Sequence, residues 1–190
     1  MSHSRVPSDR RKKPLYAARL DELALAYVAR FATSRAKLTR YLARKVRESE
    51  WQGDADAMAA CEAVADRMER LRFLDDRQYA AMRAGAMTRR GLGVRRVKAQ
   101  LFVDGIADED SGEAIAEAEE RALAAAVGFA RRRRFGPFAT RAADDPAQRE
   151  RQVAAFVRAG HAPALARRIL AIAPGDDAAL AALDGEAALD

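Results

Sequence analysis

One kind of segment recurs three times along the chain and constrains its fold more than any other feature. The copies are SRAKLTRYLARKV at 34–46, GVRRVKAQLFVDGI at 93–106 and QRERQVAAFVRAGH at 148–161, roughly 55–60 residues apart. Each is typical of a short amphipathic helix with basic residues between its apolar ones. A period of that size indicates a repeat protein, in which neighbouring units bury each other's apolar faces and present a long surface to partners.

Composition agrees with helices and argues against a sheet. Ala, Leu and Arg dominate the chain, only 6% of its residues are aromatic, and Gly and β-branched residues are scarce. We therefore predict an all-α fold of tandem three-helix, helix-turn-helix-like repeats with no β-sheet. The expected divisions are a disordered basic arm at 1–14, modules at 15–72, 73–118 and 119–173, and a mobile acidic tail at 174–190.

Capping residues mark several expected helix boundaries. Ser34 and Asp54 each precede a predicted helix and carry side-chain oxygens that can accept from its first N–H groups. Gly93 opens another helix. A long helix is expected from Asp108 toward Phe129.

Charge is unevenly distributed over the chain, whose net charge is +6. Residues 1–50 carry 13 Lys or Arg against 5 Asp or Glu, whereas residues 51–130 carry 11 against 15. A basic end on a helical chain indicates a polyanion or an acidic protein surface as partner. A generally Arg-rich composition is the alternative explanation.

Two basic runs contain no acidic residue, one between Arg30 and Arg47 and the other between Arg83 and Lys98. In the first run, the helical period places Leu38, Tyr41, Leu42 and Val46 opposite Lys37, Arg40, Arg44 and Arg47. Like charges on one helix face repel, so a ligand with phosphates or carboxylates is one explanation and a solvated face the other. The candidate partner-binding residues are Arg35, Lys37, Arg40, Arg44, Arg47, Arg89, Arg90, Arg95, Arg96 and Lys98.

Catalytic and metal-binding patterns are absent from the sequence. Asp75-Asp76 is expected to cap a helix, and Gly91-Leu92-Gly93 lacks the strand and the Lys-Ser/Thr of a phosphate loop. We expect no enzyme activity, no metal and no cofactor. The single cysteine, Cys61, suits a reducing cytosol and a core position, and no apolar run is long enough for a membrane helix. We expect a cytoplasmic monomer.

Three stretches carry a family resemblance: SRAKLTRYL at 34–42, RLRFLDDRQYA at 70–80 and RRGLGVRRVKAQLFVDGI at 89–106, the last repeated more weakly as QVAAFVRAGHAPALARRIL at 152–170. In their order and spacing they resemble the RecX family, regulators of the bacterial recombinase RecA. The resemblance covers residues 15–171. It departs most at His161, where the family usually has an aromatic residue.

The resemblance implies an elongated, curved array of three tandem three-helix modules. It also implies binding within the groove of the RecA filament on single-stranded DNA, with inhibition of recombinase, ATPase and co-protease activities, which modulates DNA repair and the SOS response. Duplex DNA is a further possible partner. Two alternatives stay open: a helix-turn-helix transcription regulator that reads duplex DNA, and a scaffold that contacts no nucleic acid.

Overall fold

The computed structural model describes residues 12–187, and the side chains of residues 12–183. The chain divides into two compact units, one ending at Asp75 and the other beginning at Asp76. Helices account for most of the described residues, which confirms the prediction of an all-α fold built from helical repeats.

The first unit packs three helices around one core. Its elements are β1 (Pro14–Leu15), α1 (Ala17–Arg30), α2 (Arg35–Glu48), β2 (Glu50–Trp51) and α3 (Ala57–Arg70). Side chains from all three helices, among them Leu20, Leu38, Leu42, Cys61 and Met68, are almost completely buried in this core. The apolar stripe predicted for 34–46 thus supplies the contact that joins α2 to its neighbours.

A short strand pair in the first unit contradicts the expectation that the chain has no sheet. β1 and β2 pair in parallel with Leu15 opposite Trp51, and the N–H of Gln52 donates to the carbonyl of Leu15 at 3.0 Å. Leu15 is buried in the core, and Trp51 packs against the same core. Because both side chains are held there, their backbones run side by side for two residues.

The start of α3 differs from the predicted one. Asp56, and not Asp54, caps this helix by accepting from the N–H groups of Met58 and Ala59, both at 3.0 Å. The indole N–H of Trp51 donates to the carbonyl of Ala55 at 2.9 Å, which holds that residue in the preceding loop. The cap therefore falls on the next residue with a side-chain oxygen.

Cys61 lies in the middle of α3 and is fully buried, as the sequence predicted. Burial disfavours the thiolate and raises the pKa of the Cys61 thiol, with the nearby Glu62 and Asp56 carboxylates acting in the same direction. This cysteine serves as a small apolar side chain of the core.

The second unit contains two helix triplets, a short 3₁₀ turn and a last helix. The middle triplet is α4 (Asp76–Arg89), α5 (Val94–Asp104) and α6 (Asp108–Glu120), and the last triplet is α7 (Ala122–Arg133), α8 (Pro146–Arg158) and α9 (Pro163–Ala171), followed by α10 (Asp177–Ala187). The middle triplet buries Val97 and Leu101, and the last triplet buries Phe156 and Ile169. The three recurrent segments of the sequence therefore form α2, α5 and α8, the central helix of each triplet.

Two findings in the second unit differ from the sequence analysis. The long helix expected from Asp108 is interrupted at Arg121, which separates α6 from α7. The stretch expected to be a mobile tail contains α10, whose Leu183 belongs to the core of the last triplet. The predicted module limits stay a prediction, and most of the predicted arm lies outside the described residues.

A close backbone contact joins the middle and last triplets. The N–H of Gly93 donates to the carbonyl of Ala159 at 2.8 Å, and the N–H of Arg95 donates to the carbonyl of Gly160 at 3.2 Å. A Cβ atom on Gly93 would lie 2.4 Å from the Gly160 carbonyl carbon. Glycine is therefore required here because the start of α5 and the end of α8 touch through their main chains.

Gly160→Ala is expected to destabilise the chain by about 1–3 kcal/mol. Gly160 has φ +95°, and a Cβ atom there would lie 2.5 Å from the backbone nitrogen of Arg96. Gly112→Ala is the control, because Gly112 lies within α6 and has no atom within 4 Å of an added Cβ. That change should stabilise the chain by about 0.5–1 kcal/mol. Equilibrium urea unfolding measures both, and equal effects would contradict the proposed contact.

Leu42→Ala should lower the free energy of unfolding by about 2–5 kcal/mol, because it leaves a cavity in the first core. Leu25→Ala removes the same atoms from a side chain on α1 that is 42% exposed. Its effect should stay within about 0.5 kcal/mol. Denaturant unfolding of the two variants compares them directly, and similar losses would show that α2 is not anchored through Leu42.

Candidate partner-binding surface

The orientation of α2 follows from its cap and its two most buried side chains. Ser34 caps the helix by accepting from the N–H of Lys37 at 3.3 Å. Leu38 and Leu42 are fully buried, so the opposite face of the helix must point to solvent. Of the predicted residues on α2, this face exposes Arg40, Arg44 and Arg47, while Lys37 is half-buried.

Three carboxylates of α3 compensate the charge of Arg35 within the first unit. Its guanidinium lies 2.8 Å from Glu62, 2.5 Å from Asp66 and 3.7 Å from Glu69, all on α3. The hydrogen bond to Asp66, with that to Glu62, raises the pKa of Arg35 against the opposing effect of burial. Through these ion pairs Arg35 holds α2 against α3. That Arg35 also contacts a partner stays a prediction.

Aromatic rings lie among the basic side chains of α1 and α2. Tyr27 stacks on Tyr41 with ring centroids 4.3 Å apart and planes 19° apart, and the Phe31 ring lies 5.2 Å from Tyr27. Arg30 approaches the Phe31 ring to 5.4 Å, and Arg44 approaches Tyr41 to 5.6 Å. The sequence analysis had assigned Tyr41 to the apolar stripe of α2, yet it is only half-buried, and Phe31 is 49% exposed.

Two shallow hollows are lined in part by the stacked tyrosines. One is lined by Ala26, Tyr27, Arg30, Phe31, Tyr41 and Arg44, and the other by Tyr27, Lys37, Arg40, Tyr41, Arg44 and Arg47. No carboxylate lines either hollow. We call these residues together the aromatic–basic surface of the first unit.

The second predicted group of basic residues lies where α4 ends and α5 begins. Arg89, Arg90, Arg95 and Arg96 are exposed, and none of them forms an ion pair with a carboxylate within the described part of the chain. Lys98, by contrast, lies 2.8 Å from Glu119 of α6. In this group, therefore, the charge of Lys98 is compensated by a carboxylate and the charges of the four arginines are not.

Arg132 belongs to this second group, although the sequence analysis did not single it out. Its guanidinium donates to the carbonyl of Arg90, and it occupies the space that a Cβ atom on Gly91 would fill. The sequence does contain a run of four arginines at 131–134 that could have indicated a basic surface. From the sequence alone this run indicated only an interruption between helices. Packing of α7 beside the end of α4 brings this run to Arg90. We call Arg89, Arg90, Arg95, Arg96 and Arg132 the arginine cluster of the second unit.

His161 lies beneath the arginine cluster and is almost completely buried. Its Nε2 lies 3.0 Å from the carbonyl of Gly91, so that nitrogen carries the proton and donates. Its ring packs 5.5 Å from Phe129 and 5.6 Å from Phe156. Burial lowers the pKa of His161; the Gly91 hydrogen bond opposes this, and the charge of Arg132 adds to it. The neutral imidazole fills an aromatic position in the last core.

Neither a metal centre nor a membrane span is found among residues 12–187. No group of three or more His, Cys, Asp or Glu side chains among residues 12–183 could hold a metal ion. No helix in the same range is long and apolar enough to cross a bilayer.

Two relatives show to which family the chain belongs. The chain is 31% identical over 166 residues to a regulatory protein RecX of Myxococcus xanthus, and the match covers 85% of this chain and 87% of that protein. The chain belongs to the RecX family. A regulatory protein RecX of Agrobacterium fabrum is 32% identical over 130 residues, covering 68% of this chain and 69% of the relative. No protein-family model matches the chain. The family resemblance stated from the sequence motifs is confirmed.

Membership of the RecX family does not by itself assign roles to the basic residues. The structure brings Lys37, Arg40, Arg44 and Arg47 together with the aromatic rings in the first unit. In the second unit Arg89, Arg90, Arg95 and Arg96 follow one another where α4 ends and α5 begins, and Arg132 reaches Arg90. It attaches Arg35 and Lys98 to carboxylates. That these residues bind a partner stays a prediction.

Replacing His161 with Phe should remove part of the acid sensitivity of the second unit. The folded state holds the pKa of His161 below the ordinary value of 6.5, so below that pH the unfolded chain takes up a proton that the folded chain excludes. Stability is therefore lost as the pH falls through this range. Urea unfolding at about pH 7.5 and about pH 5.5 should show a smaller loss for His161→Phe than for the unaltered chain. Equal losses in the two chains would show that His161 does not contribute.

Proposed function

We propose that this RecX-family chain binds the RecA filament on single-stranded DNA and inhibits the recombinase, ATPase and co-protease activities of RecA. In this way it modulates DNA repair and the SOS response in the cytoplasm. The observation that carries the proposal is its family membership, with both relatives named regulatory proteins. The chain acts by binding, as a monomer, and not as an enzyme.

The two basic surfaces support a partner rich in negative charge. The residues that line the aromatic–basic surface include no carboxylate, and the arginine cluster has no carboxylate ion pair among the side chains of residues 12–183. Arginines whose charge is not compensated, such as those of the arginine cluster, fit phosphates or the carboxylates of an acidic protein surface. A RecA filament on DNA offers a partner of this kind repeatedly along its length.

Reversing the charge of four arginines should weaken filament binding by about tenfold or more, since a loss of about 1.4 kcal/mol is a tenfold change. The variant carries Glu at Arg40, Arg44, Arg95 and Arg96. The matched control carries Glu at Arg70, Arg72, Arg141 and Arg167, which are also exposed and change the net charge equally. The measurement is RecA ATPase on single-stranded DNA at increasing concentrations of each chain.

Three outcomes separate the possible functions. Inhibition by the unaltered chain and the control, with loss in the four-arginine variant, is the expected result. If the unaltered chain leaves RecA ATPase unchanged but binds a duplex with sequence preference, it is a transcription regulator. Equal inhibition by all three chains would leave RecA as the partner but would place recognition outside the two basic surfaces.

A further inference from the structure

The aromatic–basic surface of the first unit exposes one aromatic ring that does not belong to the core. Tyr27 and Tyr41 are partly buried against the core, whereas the Phe31 ring lies beside Tyr27 and outside the core cluster. Phe31 follows the last turn of α1, where its backbone N–H donates to the carbonyl of Tyr27 at 3.0 Å. The backbone contact holds Phe31 in place while its ring stays 49% exposed. Folding therefore accounts for the position of the residue but not for an exposed phenyl ring.

The cations around these rings differ in whether their charge is already compensated. Lys45 lies 2.9 Å from Glu48, and Arg44 lies 3.7 Å from the same carboxylate. Arg30 and Arg47 form no ion pair with any carboxylate in the described residues. Arg30 lies beside Phe31, so an uncompensated guanidinium and an exposed ring occur next to each other.

We propose that this surface binds single-stranded nucleic acid, with a base stacked on Phe31 next to the Tyr27–Tyr41 pair and with Arg30, Arg44 and Arg47 at the phosphates. Aromatic rings set in a positively charged groove are the combination that binds single strands without strong sequence preference. The inference rests on the proposed function in one respect: the single strand that is bound is taken to be the DNA strand inside the RecA filament. It assigns this surface to the nucleic acid and not to the RecA protein.

Duplex DNA and an acidic protein surface fit the same residues less well. Bases in a duplex are stacked on one another, so their faces cannot reach Phe31, and an acidic protein surface would be satisfied by the arginines alone. Only an unpaired strand uses both the ring and the cations. Both hollows are lined by the stacked tyrosines, which leaves room for groups to approach these rings.

The test uses the full chain and bare oligonucleotides, without RecA. Fluorescence anisotropy compares an oligothymidylate of about 20 nucleotides with an abasic strand of the same length, which keeps every phosphate but has no bases. The unaltered chain should bind the oligothymidylate roughly tenfold more tightly than the abasic strand, since each stacked base contributes about 1–3 kcal/mol. It should also bind the single strand more tightly than a duplex.

Phe31→Ala should remove most of the preference for the strand with bases and leave binding to the abasic strand unchanged. Tyr16→Ala is the matched control, because Tyr16 is 55% exposed at the opposite end of α1, about 22 Å away at 1.5 Å per residue. It should keep the full preference. Phe31→Tyr restores an aromatic ring and should restore the preference. A melting curve for each variant checks that the fold is kept.

Arg30→Gln tests the phosphate contact separately. It should weaken binding to both strands and reduce the slope of log affinity against log salt by about one, as expected for the loss of one phosphate contact. Arg19→Gln, which changes an exposed arginine near the start of α1, is its control and should leave the slope unchanged.

Several results would overturn the inference. They are the absence of binding to the bare single strand at low salt, equal affinity for the abasic strand, and an unchanged preference in Phe31→Ala. If Phe31→Ala instead weakens only binding to RecA free of DNA, the surface contacts the protein. The RecA ATPase experiment stands apart from all of these, so the proposed function can hold when this inference fails.

Discussion

Burial of one apolar stripe on the central helix of each triplet determines where the basic side chains of this chain point. Leu38 and Leu42 fix the rotation of α2, and Val97 and Leu101 fix that of α5. A helix places residues on opposite faces at a spacing of about two, so arginines between buried leucines must face outward. The same sequence pattern therefore produces the core and the charged surface together.

The parts of the fold that follow from local periodicity were predictable from the sequence. The helices α2, α5 and α8 were expected from their apolar spacing, and Ser34 was expected as a cap. The strand pair and α10 were not, because each depends on a distant core: Leu15 and Leu183 are buried by side chains far away in the sequence. Asp56 caps α3 in place of Asp54 because of a hydrogen bond from the indole of Trp51 to Ala55. The sequence preferences of capping residues do not predict such a bond.

The candidate site shows the same limit. Periodicity placed Arg40, Arg44 and Arg47 on one exposed face, as the structure has them. It did not distinguish them from Arg35, which is one residue after the same cap but reaches three carboxylates of α3. It could not bring Arg132 to Arg90, because 42 residues separate them and their contact depends on the space left by Gly91. Charge is visible in a sequence, whereas compensation of charge depends on tertiary structure.

Cys61 has a practical consequence for study of this chain in solution. It is the single cysteine of the sequence, it is fully buried, and its thiol has a raised pKa. Thiol reagents act on exposed thiolates, so the folded protein should resist them. A cysteine introduced at an exposed position would then be the one accessible thiol of the folded molecule. Fluorophores or spin labels could report on either basic surface without first removing the native residue from the core.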